Sequence, residues 1–342
     1  MTSNTIFIKT VKKADHTVFC VDSEGQKMYW DSQFKKQVPY SSGQQVKRSI
    51  INAMLEKLGV EPAPFVMLWE KTKKAGTKGK EKIEFKNGFC KTCTPAYPDQ
   101  LIGGWMHLNS KKNTTESKKV ENEDVSDVED EIENETENQS NSKSVKRRSP
   151  LSISAMTPLH PLLANVTKEG ISLDKRDVSN VEIVVKSGKD QMSDDDIREL
   201  LLQKPDHNFK NTYVFDNKRA SGMFVQNIAI DLKRLFAISL DNNSPEVSSN
   251  VVEELKTGGW IVKKDNRGEY LLAPDSYRKE LIPAIAHSLV NWTITSNQSR
   301  TYSPMETLVV AISDNANSVG NSIYAKLNVG KNDELVAEPV IS

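Results

Sequence analysis

The pattern of apolar and polar positions opens on strands rather than a helix. Thr5 to Val11 and Thr17 to Val21 are short β-rich runs, separated by Lys12-Lys13-Ala14-Asp15-His16. The spacing then changes. Val46, Ile50, Met54 (with Ala53) and Leu58 recur at helical intervals and form one apolar stripe. Ser42 followed three residues later by Gln45 is a capping-box pattern, which predicts a helix over 43–58. Pro62 and Pro64 break the chain after it, and Phe65-Val66-Met67-Leu68-Trp69 reads as a buried strand. Ile83–Phe85 and Gln100–Leu108 extend the β-rich first part, with a lysine-rich loop at 71–82 between strands. Farther on, Ser149–Ala164 carries three prolines, Val181–Val185 reads as a strand, and Asp194–Leu202 as a short helix started by Ser193. Thr212–Phe215 and Met223–Ile230 read as strands flanking the basic pair Lys218-Arg219. A strand at Glu269–Leu272, a helix at Pro274–Leu289 and a closing strand at Thr307–Ile312 complete the pattern. This is an α+β order that can close a split βαβ, or ferredoxin-like, unit. RNA-recognition domains use such a unit, presenting one face of a four-stranded sheet to nucleic acid.

Charge changes the picture. The 46 basic and 46 acidic residues balance overall, but ten acids lie between Glu121 and Glu137, with no Lys or Arg from Glu121 to Ser142. The rest of the chain keeps 36 acids against 46 bases, a net charge of +10. The acidic stretch, poor in apolar residues, cannot bury enough surface to offset its conformational entropy, so 109–148 reads as a flexible insertion. It would serve as a solubilising loop or as an arm competing with nucleic acid. The basic remainder is the electrostatic footprint of a protein that binds a polyanion.

The helix start sharpens this. Lys47 and Arg48 cannot join the apolar stripe and must leave it sideways or outward, beside Gln44, Gln45 and the free N–H groups of the first turn. Two cations, two amides and a positive dipole end suit a phosphate chain. The same residues would also suit a solvated helix with no ligand. Other chemistry is sparse. Cys90 and Cys93 form a lone C-x-x-C, and the five histidines, at 16, 107, 160, 207 and 287, are scattered. There is no Walker loop, H-E-x-x-H or serine elbow. With no apolar run of membrane-spanning length, no signal pattern and three cysteines, the expectation is a cytoplasmic protein without membrane partners, metal or cofactor.

Four stretches, in order, resemble the backbone subunits of CRISPR Cascade complexes, members of the RAMP superfamily that coat guide RNA. They are Ser41-Ser42-Gly43-Gln44-Gln45-Val46-Lys47-Arg48, then Asp99 to Met106, then Arg148 to Ser154 with Pro158, then Ser296-Asn297-Gln298-Ser299-Arg300 ahead of Val309-Val310-Ala311. The resemblance implies an RRM-like palm with inserted finger and thumb regions. Residues 1–108 would be the first part of the palm with a basic finger loop, 109–148 the acidic insertion, 149–180 a thumb-like segment, and 181–342 the remaining palm and tail. It implies guide-backbone contacts by Ser42, Gln44, Gln45, Lys47, Arg48, Arg219, Asn297, Gln298 and Arg300. Leu151 and Met156 would supply the thumb's apolar wedge. Implied partners are guide RNA, a target DNA strand paired through the guide, further copies of this chain in a helical filament, and other Cascade subunits. The acidic insertion and the Asn/Ser/Gly-rich tail from Ser313 depart from that family's core. Related type III subunits cut RNA with a loop aspartate, so Asp15, Asp22 and Asp31 are candidates for an enzyme reading. A single-stranded RNA binder unrelated to CRISPR is the third alternative.

Overall fold

The computed structural model describes residues 4–22, 25–73, 81–107, 145–177, 180–182, 184–187, 190–203, 211–294 and 301–342. Strand β1 is Thr5–Thr17, continuous through the lysine-rich stretch, with a register shift between Ala14 and Thr17 where His16 takes a positive φ of 44°. A hairpin of β2 (Met28–Asp31) and β3 (Lys36–Pro39) leads to helix α1, Gly43–Leu58, as the capping pattern predicts. Next come β4 (Phe65–Lys73) and β5 (Glu81–Cys90), paired only with each other. Helix α2 (Pro98–Gly103) replaces the first half of the strand expected at 100–108. Pro98 stands at its first position, and Gly104, at φ 74°, ends it. Strands β6 (Trp105–His107) and β7 (Val145–Arg147) then pair as a short ladder.

Beyond Pro150 lie β8 (Leu151–Ile153) and β9 (Ala164–Asp174). Helix α3 (Asp194–Gln203) forms where expected, whereas 181–185 is not a strand among the described residues. Strand β10 runs unbroken from Asn211 to Asp231. The stretch around Lys218-Arg219, expected to separate two strands, continues the strand by pairing with Lys168 and Thr167 of β9. A small unit follows: β11 (Ala237–Ser239), α4 (Ser249–Thr257), β12 (Ile261–Asp265) and β13 (Gly268–Leu272). Helix α5 (Asp275–Asn291), β14 (Thr307–Ser313), α6 (Ala316–Ser322) and the hairpin of β15 (Ile323–Val329) and β16 (Leu335–Ile341) end the chain. No described helix is long and apolar enough to cross a membrane.

The main sheet has the order β8-β10-β1-β14, with every neighbouring pair antiparallel. Helix α1 leads from β1 toward β8, leaving β10 between them. The chain from β10 returns through α5 to β14, leaving β1 between. Two such split crossovers place α1 and α5 side by side against the sheet. Val46, Ile50 and Met54 of α1 and Leu281, Ile285 and Leu289 of α5 share one core with Ile8, Phe224, Ile228 and Ile230 of the sheet. Each side chain of this size, when fully buried, contributes about 1.5–3 kcal/mol of transfer free energy.

Two lysines of β1 are buried rather than outward. Lys12 donates to the carbonyls of Val290 (3.3 Å) and Met305 (3.2 Å) and to Thr307 Oγ1 (2.8 Å), with its ammonium 4.6 Å from the Trp292 ring centre. Lys9 donates to Gly320 O (2.8 Å) and Ile323 O (2.6 Å). Their three-residue separation along a strand sends them to opposite faces, and each ammonium satisfies carbonyls near a helix C-terminus, of α5 and of α6. Helix α6 thereby covers part of the sheet face opposite α1 and α5, where Val11 is also buried.

Candidate nucleic-acid interface

Ser42 lies in the extended region at φ −65°, ψ 147°, and its Oγ accepts from Gln45 N at 3.3 Å, fixing the first turn of α1. The preceding Ser41 exchanges two backbone hydrogen bonds with Met156, at 2.9 and 3.0 Å. A Cβ on Gly43 would stand 2.9 Å from Ile153 O and 3.1 Å from Ser154 backbone atoms, so the helix begins in direct contact with the chain just after β8. Gln44 and Arg48 are exposed, and Gln45 is half-buried.

Lys47 departs from expectation. Its Nζ donates to Gly103 O at 3.0 Å, satisfying the C-terminal end of α2, and burial holds its pKa below the usual lysine range. Lys47 therefore ties α1 to α2, and Arg48 is the cation that the first turns of α1 present outward.

Between α1 and α5 runs a cleft of about 750 Å³. Gln45, Arg48, Asn52 and Lys57 lie along the α1 wall together with one carboxylate, Glu56, and His287, Asn291 and Thr293 along the other. Asn291 Nδ2 donates to the His287 carbonyl at 3.0 Å. Such a polar trough with a guanidinium, amides and an imidazole can hold sugar-phosphate oxygens without distinguishing bases. Asn297, Gln298 and Arg300 lie outside the described residues, but Thr293, close before them in the chain, is on the cleft wall. Arg219 stands elsewhere, on β10 opposite Thr167 of β9, and does not line the cleft.

The apolar wedge is corrected. Leu151 and Met156 are core residues, 3% and 0% exposed, because β8 is a sheet strand and Met156 bridges to Ser41 beneath the start of α1. Neither side chain can reach a base step. The aspartates are in structural use: Asp31 Oδ1 accepts from Phe34 N at 2.8 Å in a turn, and Asp15 pairs with Lys13 at 3.0 Å. The backbone of Asp22 pairs with Gly25 in a two-residue ladder. Among the described residues no group of three His, Cys, Asp or Glu side chains could hold a metal ion. Cys90 and Cys93 are free thiols. Burial, and then the neighbouring Cys90, push the Cys93 pKa up to about 11, and burial raises Cys90 as well, so both stay protonated thiols near neutral pH.

No protein-family model and no curated protein matches the chain. Among the solved structures that resemble it in outline are the following two. A chain of a CRISPR RNA-guided surveillance complex aligns with TM-score 0.42 at 9% identity, over 94% of this chain and 76% of that one. A chain of a CRISPR RNA-guided surveillance complex in a pre-nicking state aligns with TM-score 0.40 at 10% identity, over 90% and 77%.

Sequence reasoning missed Asn52, His287 and Asn291. The available signal was the spacing: Arg48 with Asn52, and His287 with Asn291, each stand four apart and share a helix face. What could not be read was that the two faces look at each other.

Proposed function

We propose that this chain is a non-catalytic RNA-binding subunit that lies along guide RNA in a Cascade-type complex in the cytoplasm, with copies side by side on one strand. Its four-stranded sheet with α1 and α5 would be an RRM-like palm. The guide would pair with a target DNA strand while the protein grips the guide's backbone. The observation that carries this reading is the cleft. Gln45 and Arg48, singled out as phosphate contacts, meet there the segment of α5 that leads into Asn297, Gln298 and Arg300. The four ordered stretches that resemble Cascade backbone subunits support this reading, and the net basic charge outside 121–137 would supply the attraction. The engaged Asp15 and Asp31 favour holding RNA over cutting it.

Arg48→Glu combined with Gln45→Ala tests the contact. The expected result is weaker RNA binding for every sequence alike, with a salt slope shallower by about one counterion. Weakening confined to particular sequences, or an unchanged slope, contradicts it.

A further inference from the structure

The ribbon of β4 and β5 presents an apolar face that stays exposed among the described residues. Phe65, Met67, Trp69, Ile83 and Phe85 are each more than half exposed. Their register places them together: Trp69 stands opposite Phe85, Met67 opposite Gly88 and Lys71 opposite Ile83, so all of these share one side of the ladder. Trp69 and Phe85 meet edge to face, with ring centres 5.4 Å apart and planes at 72°. A Cβ on Gly88 would come within 3.0 Å of the Phe65 ring, so glycine there gives the ring room on this face. Two of the ribbon's carboxylates, Glu70 and Glu84, lie on the other side, while Glu81, opposite Lys73, falls on the aromatic side at the end of the ladder. Glu70 stands opposite Glu84, and Lys86 pairs with Glu70.

Charge selects the occupant. Residues 71–82, the sequence that joins the two strands, hold six lysines against one acid, Glu81, so this part of the chain repels a basic partner and attracts a polyanion. Lysine is depleted at the cores of protein–protein contacts, whereas exposed aromatics beside lysines fit unstacked bases on a phosphate backbone. An ordinary buried strand would have its apolar face against the core. This one has an aromatic pair in solvent.

We infer that the aromatic face of the 65–90 ribbon is a second nucleic-acid contact, on which the bases of a single strand stack against Trp69 and Phe85. It goes beyond the phosphate grip of the α1–α5 cleft, and differs from it in kind, because stacking reads the base plane and releases no counterions. The two contacts therefore separate in a salt titration.

The test uses the full chain, a labelled single-stranded RNA 20-mer, and a duplex of the same length, followed by fluorescence anisotropy over a salt series. Trp69→Ala with Phe85→Ala should weaken single-strand binding about tenfold or more, leave the salt slope as in the parent, and leave duplex binding unchanged. Trp69→Phe with Phe85 intact should retain most of the affinity, since a ring remains to stack. Both residues are exposed, and an unchanged thermal melt is expected to show that folding is intact. Equal single-strand affinity for the double variant and the parent overturns the inference. So does loss of self-association in sedimentation with RNA affinity unchanged, which would make the face a protein contact. Loss of the salt slope in the Arg48→Glu variant would be a separate result, about the cleft alone.

Discussion

Lys12 is the side chain whose replacement tests the packing of this fold most sharply. Its ammonium is 2% exposed, is held by two carbonyls and a hydroxyl, and burial pulls its pKa from 10.5 to about 8. Burial is the one cause of the shift, and no carboxylate contributes. Glu306 and Asp15 act instead on Lys13, whose side chain points to the opposite face. Because the folded-state value lies below the unfolded one, the unfolded chain binds more protons between about pH 8 and 10.5, and stability must rise with pH through that window. At about 1.4 kcal/mol per pH unit the full effect is about 3 kcal/mol, of which about 2 kcal/mol is gained by pH 9.5. Lys12→Met keeps the length of the side chain and removes the proton. Urea unfolding of parent and variant at pH 7 and pH 9.5 should show the parent gaining about 2 kcal/mol relative to the variant. The comparison cancels the titration of the other lysines. Parallel stabilities across this range would mean that the carbonyl cage keeps Lys12 protonated as in water, and would refute the reasoning.

Two further outcomes follow from the start of α1 and from the β2–β3 hairpin. Gly43→Ala should destabilise by about 1–3 kcal/mol in urea unfolding, because the added methyl meets the 153–154 backbone; the higher helix propensity of alanine alone would predict stabilisation instead. His160 Nδ1 accepts from Leu162 N at 3.1 Å, its ring packs on Phe34, and burial holds its pKa below 6.5. Its neutral form is favoured by folding, so the melting temperature should fall as the pH drops below about 6.5, and His160→Asn, which can still cap the turn, should remove that dependence.

Local signals in the sequence were strong where one residue decides the geometry. Ser42 and Gln45 located α1 because capping is a contact between neighbours in the chain, and Ser193 did the same for α3, its Oγ accepting from Asp196 N at 3.2 Å. Signals failed where the answer lay in a distant segment. The Phe65–Trp69 run has the composition of a buried strand, yet among the described residues its aromatic face stays exposed, and composition does not distinguish a core from a contact surface. Met156 failed in reverse: an apolar residue in a proline-rich stretch could be a wedge, but its backbone pairing with Ser41 places it in the core. Lys9 and Lys12 are instructive too. Lys9 and Lys13 share one face of β1 and Lys12 takes the other, so alternation could not say which was buried; Lys9 and Lys12 both are, because a helix end meets each of them. Of the expected contacts, Gln45 and Arg48 meet in the α1–α5 cleft, Lys47 turns to α2, and Arg219 stands apart on β10.

The central claim is that the chain grips RNA by its backbone whatever the base order, and binds in multiples set by strand length. Analytical ultracentrifugation of the purified protein with RNA strands of increasing length and unrelated sequences measures this directly. The account predicts complexes whose protein count rises with RNA length and is the same for every sequence. Protein that sediments alone beside all of the strands, even at low salt, would contradict it.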